Sequence, residues 1–256
     1  MLIPLPADFL RLPIAHRALH DRAAGRPENS RAAIRAAVVA GYGIEIDLQP
    51  SADGVAMVFH DDTLQRLTGR EGPVSALTAA ELQATRLRDA EDGIPTLTEV
   101  LQIVGGRVPL LIEIKEQCFN GGPGLGPLEA ATAAALQGYS GPVALMSFDP
   151  DSVAEMARLC PRIPRGITTG SYDPTDYAPI PPDLCARLRE IPDAERVGAS
   201  FISHEWADLG RPRVAELKAQ GLAVLCWTIR SPEAEAKARR MAQNITFEGY
   251  AAPFPA

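Results

Sequence analysis

The stretch IEIDLQPSADGVAMVFHDD, residues 44–62, decides how the rest of the chain is read. Ile44, Ile46 and Leu48 alternate with Glu45 and Asp47, the period of a strand with two unlike faces. A second apolar run, Val55–His60, begins after only six residues. A parallel crossover needs about a dozen residues or more, so the two runs must pair antiparallel. The turn falls at Ser51-Ala52-Asp53-Gly54, where Asp-Gly favours a hairpin. Centred between Ala52 and Asp53, it predicts His60 opposite Glu45 and Val58 opposite Asp47.

Outward from this hairpin, further strands are expected at Leu12–His16, Gly43–Leu48, Pro109–Lys115, Pro142–Ser147, Pro164–Thr168, Ala199–Ser203, Leu222–Ile229 and Asn244–Glu248. Helical patterns fall at Asn29–Ala40, Leu97–Val104, Leu128–Leu136, Asp151–Leu159, Pro182–Arg189, Pro212–Gln220 and Pro232–Met241. Strands alternating with helices predict βαβ units and a parallel sheet. With the hairpin's second strand set aside, eight strands remain, as an α/β fold of the (β/α)₈ TIM-barrel kind requires. A chain of 256 residues suits one such domain over 1–256. The segment 61–95 has no strong period. It holds Gly69, Gly72, Pro73 and one short helical piece near Ala79–Thr85, and it reads as a small insertion on the catalytic face.

Composition narrows the function. A formal net charge of −7 argues against a nucleic-acid binder that neutralises phosphates. Cys118, Cys160, Cys185 and Cys226 form no C-x-x-C pair, which excludes zinc and redox spacing and predicts reduced thiols in a cytoplasmic protein. The start MLIPLPADFLRLP lacks the apolar run of a signal peptide. No run of 18 apolar residues predicts a membrane segment.

Residues two apart on a strand share a face, so Glu45 and Asp47 point the same way. Glu113 and Lys115 in LLIEIK repeat that arrangement, and His16-Arg17 closes the first strand in IAHR. In barrels the site forms at the C-terminal strand ends, so these side chains meet on one rim, and His60 joins through the hairpin. Three carboxylates in a partly buried pocket need compensation. A hard divalent cation on oxygen ligands, Mg²⁺ or Ca²⁺, supplies it. Arg17 and Lys115 then add positive charge around a phosphate group. His16 and His60 can divide general base and general acid work for displacement at phosphorus. Structural ion pairing is the competing reading of Glu45 and Asp47, and the repeat at Glu113 counts against it. His204, at a strand end in FISHEW, is a weaker candidate for the site. Glu28 and Asn29 precede a helix and read as N-caps.

These pieces, AHR at 15–17, RPENS at 26–30, IEIDLQPSADG at 44–54, VFHDDTLQRLTG at 58–69, IPTLTEV at 94–100 and LIEIK at 111–115, resemble the glycerophosphodiester phosphodiesterases of the bacterial cytosolic type. MSF at 146–148, CWT at 226–228 and NITFEG at 244–249 match more weakly. The resemblance implies metal-dependent hydrolysis of glycerophosphodiesters to glycerol 3-phosphate and an alcohol on a (β/α)₈ barrel. It implies Glu45, Asp47 and Glu113 as metal ligands, His16 and His60 as the acid–base pair, Arg17 and Lys115 as phosphate contacts, and for Glu28 and Asn29 a supporting, non-catalytic role near the site as the alternative to capping. Trp227 and Phe148 then read either as core or as a wall for the glycerol or alcohol moiety. Three departures stand out. Ala18 replaces a usual glycine, which predicts a loop shifted to an allowed φ. Ile229-Arg230 replaces Val-Asn, and Glu248 stands where Asp is common; both are expected to lie outside the metal and histidine set. Two other functions compete. One is a related barrel phosphodiesterase acting on lysophospholipids or another headgroup. The other is a non-catalytic phosphate-ligand binder, which predicts a missing histidine or ligand, yet all are present. Attack by activated water and attack by the substrate's own glycerol hydroxyl, through a cyclic phosphate, both suit this residue set.

Overall fold

The computed structural model describes residues 3–117, 124–177 and 180–255. Every apolar run named above becomes a strand. They are β1 (Ile14–Ala15), β2 (Gly43–Pro50), β3 (Ala56–Val58), β4 (Leu110–Ile114), β5 (Val143–Ser147), β6 (Arg165–Thr169), β7 (Phe201–Glu205), β8 (Ala223–Ile229) and β9 (Asn244–Phe247). All but β3 pair in parallel with their neighbours, and β1 bonds both β9 and β2, which closes an eight-stranded barrel. The chain therefore has the α/β TIM-barrel fold.

Helices surround the barrel: α1 (Asp8–Arg11), α2 (Arg31–Ala40), α3 (Gln65–Thr68), α4 (Ala79–Ala84), α5 (Leu97–Val104), α6 (Pro127–Ala135), α7 (Pro150–Leu159), α8 (Pro182–Arg189), α9 (Pro212–Ala219) and α10 (Pro232–Ala238). Their starts follow local chemistry. Proline occupies the first turn of α6 to α10, where its missing N–H costs nothing. Thr96 and Glu99 form a capping box on α5. Ser30 caps α2, its hydroxyl accepting from the Ala33 N–H at 3.1 Å. Glu28 and Asn29 are thus not caps, contrary to the sequence expectation, and are free for other partners.

Ile44, Ile46 and Leu48 point outward and pack with Ala33, Ile34 and Ala37 of α2 and Leu97 and Val100 of α5. Inside the barrel Leu111, Ala144, Met146, Phe201 and Leu225 meet Leu5 and Phe9 from the N-terminal segment. Helix α1 has four residues, too few to show a period in sequence. Its Phe9 is fully buried and plugs the N-terminal mouth of the barrel. Asn244 ties it down by donating to the carbonyls of Phe9 (2.8 Å) and Leu12 (2.6 Å).

The hairpin forms, but its register differs by one residue from the expected one. Leu48 pairs with Val58, Gln49 with Met57 and Pro50 with Ala56. The turn is the cause. Ser51 N–H bonds the Val55 carbonyl at 3.0 Å around three residues, the last being Gly54 at φ 78°. That is a three-residue loop, not a two-residue one, and it moves every partner by one. Asp47 therefore faces Phe59, whose N–H bonds the Asp47 carbonyl at 2.9 Å. His60 lies past the end of the ladder, where Gln49 holds its carbonyl at 3.2 Å.

The segment 61–95 carries α3 and α4 and packs on the hairpin. Leu64, Leu67, Val74, Leu82, Leu87 and Ile94 enclose Met57 and Phe59 in a cluster of their own. Cys160, Cys185 and Cys226 are free thiols, and Cys118 lies outside the described residues. No helix among the described residues is long and apolar enough to cross a membrane.

Phe9 offers a test of the plug. Phe9→Ala should cost about 3–5 kcal/mol in urea unfolding, the range for a buried aromatic. A loss below about 1 kcal/mol would mean that the mouth is closed by other groups.

Candidate active site

The C-terminal strand ends enclose a cavity of about 250 Å³. His16, Arg17, Glu45, Asp47, His60, Glu113, Lys115, Phe148 and Trp227 all line it. All the catalytic, phosphate-contact and metal-ligand candidates named from sequence are thus brought to one place, and only the weaker candidate His204 is not among them.

The parallel register explains the acidic cluster. β2 and β4 set Asp47 beside Glu113, and Glu45 follows two residues earlier on the same face as Asp47. One carboxylate oxygen from each of the three lies within 4.8 Å of the others. All three side chains are buried. Burial, with the charges of Asp47 and Glu113, raises the Glu45 pKa well above the usual carboxylate range. Asp47 goes the other way. Burial works to raise its pKa, but the charges of Lys115, His60 and Arg17 hold it well below the usual value. Lys115 Nζ donates to Asp47 Oδ1 at 2.8 Å and also bonds Glu113. Burial pulls the lysine's pKa down, and the two carboxylates outweigh it and raise it.

The loop after β1 is bent to serve this cluster. Arg17, Ala18 and Asn29 sit at φ 51°, 66° and 56°. Such left-handed backbone in non-glycine residues marks stored strain. It lets the Arg17 N–H donate to Glu45 Oε2 at 2.8 Å and the Ala18 N–H to the Glu45 carbonyl at 2.9 Å. Ala18 has therefore kept the left-handed conformation, contrary to the expectation of a shifted loop. Asn29 Nδ2 donates to Asp47 Oδ2 at 2.9 Å, and Glu28 Oε1 receives Arg17 at 2.7 Å.

The two histidines are held alike. His16 Nδ1 meets Glu248 Oε2 at 2.5 Å, and His60 Nδ1 meets Asp61 Oδ1 at 2.8 Å. A carboxylate on Nδ1 leaves Nε2 as the nitrogen open to another partner. Among the described residues neither Nε2 has a hydrogen-bond partner. Burial lowers the His16 pKa, against the opposing pull of Glu248. Arg66 of α3 forks onto Asp61 and onto Glu28, with four contacts of 2.7–2.8 Å. One guanidinium thus links the anchor of His60 to the anchor of Arg17.

Two sequence expectations fail here. Glu248 and Arg230 are not remote from the histidines: Glu248 holds His16, and Arg230 Nε donates to Glu248 Oε1 at 2.7 Å. The hydrogen bond to His16, with His20 Nε2 3.5 Å away, keeps the Glu248 pKa well below the usual range. The change from Asp to Glu there lengthens a support of the site itself. His204 does not reach the cavity. It is fully buried and bonds Thr169 Oγ1 at 2.7 Å and Asp208 Oδ2 at 3.1 Å. The two-residue period of β7 sends Ser203 and Glu205 inward instead.

Phe148 and Trp227 meet edge to face, with centroids 5.6 Å apart, and both remain half-buried in the cavity wall. Asp61, Glu205 and Trp206 escaped the sequence reading. The sequence signal that could have found Asp61 is its adjacency to His60, and for Glu205 its two-residue spacing from Ser203 on β7.

Residues 16–245 match the family model described as the glycerophosphoryl diester phosphodiesterase family. A putative glycerophosphodiester phosphodiesterase of Bacillus subtilis is 30% identical over 237 residues, covering 89% of this chain and 90% of its own length. A glycerophosphodiester phosphodiesterase of Caldanaerobacter subterraneus is 33% identical over 166 residues, 61% of this chain and 65% of its own. Among solved structures, an Oleispira antarctica phosphodiesterase in complex with the product sn-glycerol-3-phosphate superposes with a TM-score of 0.73 at 26% identity, over 93% of each chain. With a family model spanning nearly the whole chain and a relative matched almost end to end, this chain belongs to the glycerophosphoryl diester phosphodiesterase family of phosphoric diester hydrolases.

Proposed function

We propose that this chain hydrolyses glycerophosphodiesters to glycerol 3-phosphate and an alcohol, with one divalent cation, Mg²⁺ or Ca²⁺, held by Glu45, Asp47 and Glu113. The observation that carries the reading is the meeting of three buried carboxylates and two Nδ1-anchored histidines in one cavity. The donor set fits such an ion. It is all oxygen, closely spaced, and so crowded that Glu45 is driven toward its neutral form. When bound, the cation supplies Lewis-acid stabilisation to a phosphoryl oxygen.

The chain's own residues do the rest. Arg17, steadied by Glu28, presents a guanidinium to the phosphate. Lys115 is committed to Asp47 and Glu113 and contributes a fixed positive charge beside them. His16 and His60 work through Nε2. One takes the proton of the attacking hydroxyl or water, and the other gives a proton to the leaving alcohol oxygen. Burial keeps the His16 imidazole neutral near pH 7, which suits the base. Glu248 and Asp61 act as positioning residues that fix the tautomers. Phe148 and Trp227 wall the organic part of the substrate. The free thiols fit a cytoplasmic setting.

Purified protein should release glycerol 3-phosphate from glycerophosphocholine or glycerophosphoethanolamine with Mg²⁺ or Ca²⁺, and lose the reaction in chelator. Full activity in chelator would remove the ion from the reading. Glu45→Ala should abolish turnover while circular dichroism shows a native fold, and retained activity would take Glu45 out of the ligand set.

His60→Ala should lower kcat by about 10² or more, the usual weight of a general acid or base. Glu248→Gln should lower kcat by about tenfold or more with little change in KM, because it disturbs the imidazole and not the substrate contacts. A change confined to KM would move Glu248 from positioning to binding.

A further inference from the structure

Taking the phosphodiesterase reading as its basis, we propose that His20 is a further positioning residue of the reaction, one that shares a single oxygen of Glu248 with His16 and so sets how that oxygen holds the reacting imidazole. His16 Nδ1 meets Glu248 Oε2 at 2.5 Å, and His20 Nε2 stands 3.5 Å from the same atom. The other oxygen, Oε1, receives Arg230.

A tight turn brings His20 there. Ala18, at φ 66°, reverses the backbone, and the His20 N–H donates to the Ala18 carbonyl at 2.9 Å. The bend that lets Arg17 and Ala18 donate to Glu45 therefore also carries His20 to Glu248. His20 Nε2 is shut off from solvent and has no hydrogen-bond partner among the described residues. A buried nitrogen without a partner is costly, and the carboxylate 3.5 Å away is the group that can satisfy it. With a proton on Nε2, neutral His20 steadies Oε2 as a donor. Protonated His20 claims that oxygen as an ion pair.

Glu248 is also a partition. His16, Arg17 and Arg230 line the active-site cavity. His20 and Glu248 line a second cavity of about 580 Å³, with Asp21, Arg26, Tyr42 and Tyr250. Asp21, Gly249 and Ala251 on its edge are exposed, so this second cavity meets solvent. The other titratable groups facing His20 there are engaged elsewhere. Asp21 and Arg26 pair at 3.4 Å, Tyr42 donates to the Ala252 carbonyl at 2.7 Å, and Tyr250 donates to Glu235 at 2.8 Å. His16 in turn feels Arg17 and Asp47 from the active-site side. The His20 side chain is 23% exposed, so it can take up a proton from behind the site. A positive His20 draws Oε2 away from His16 and weakens the hold on a protonated His16. Loss of His20 leaves that oxygen to His16 alone.

The test follows glycerophosphocholine turnover against pH, with saturating Mg²⁺, in the wild type, His20→Leu, His20→Gln, Glu248→Gln and the double variant of His20→Leu with Glu248→Gln. His20→Leu should lower kcat by about threefold or more at unchanged KM, a smaller loss than Glu248→Gln gives. It should also move the acid limb of kcat up by about half a pH unit or more. His20→Gln keeps an N–H near Oε2 and should restore most of kcat. In the Glu248→Gln background His20→Leu should cost nothing more, because the two act through one atom. Equal losses on both backgrounds, or an unchanged kcat and acid limb in His20→Leu, would overturn the proposal. Independently of turnover, ring-proton NMR of the 4 histidines in metal-loaded protein should show the His16 midpoint rising in both His20→Leu and His20→Gln. A midpoint unmoved in whichever variant folds would overturn it as well. Absence of turnover in the wild type would overturn the phosphodiesterase reading instead, and the His16 midpoint would still decide whether His20 acts on His16.

Discussion

Mutual repulsion among Glu45, Asp47 and Glu113 is the constraint from which the rest of the site follows. Two unit charges about 4 Å apart cost roughly 4 kcal/mol at an effective dielectric of about 20. Three such pairs come to roughly 12 kcal/mol, which rivals the whole stability of an ordinary domain. The fold answers in three ways. Lys115 pairs with two of the carboxylates, the Arg17 and Asn29 groups donate to Glu45 and Asp47, and Glu45 is pushed toward protonation. None of these compensates a third ionised carboxylate in full. A divalent cation would, and the same ion would make the repulsion useful for chemistry at phosphorus.

The supports radiate from that cluster along two chains of contacts. One runs from His16 to Glu248 and on to Arg230. The other runs from His60 to Asp61, through Arg66, to Glu28 and back to Arg17. Arg66 belongs to α3, in the segment 61–95, so that segment fastens His60 and Arg17 at once. Its own apolar cluster around Met57 and Phe59 gives the guanidinium a firm base. Strain at Arg17, Ala18 and Asn29 is held in place by the hydrogen bonds that those residues make to Glu45 and Asp47.

The barrel was legible because its signals are local. Eight apolar runs, each of strand length, and one six-residue gap too short for a crossover were enough. The polar faces of β2 and β4 were legible for the same reason, since a period of two needs no long-range knowledge. What escaped reading depends on detail that sequence does not carry. A two-residue and a three-residue turn at Asp53-Gly54 look alike until the Ser51–Val55 bond is seen. His204 and Ser203 differ by one position, and only the register of β7 decides which faces inward. The contact of His16 with Glu248 spans the whole chain, and no local pattern announces it.

The division of labour along the chain has a physical origin. The reacting groups come from β1, β2, the hairpin and β4, which are adjacent in the barrel and can converge within a few ångströms. The groups that would meet the leaving alcohol come from the loop after β5 and from β8, on the other side of the cavity. Substitutions there change charge and shape at the rim without touching the carboxylate cluster. Asp47, by contrast, cannot change without losing the balance of charge beneath it. The pieces that match most strongly, from 15 to 115, are the ones that carry the carboxylate cluster and the backbone and side-chain donors bound to it.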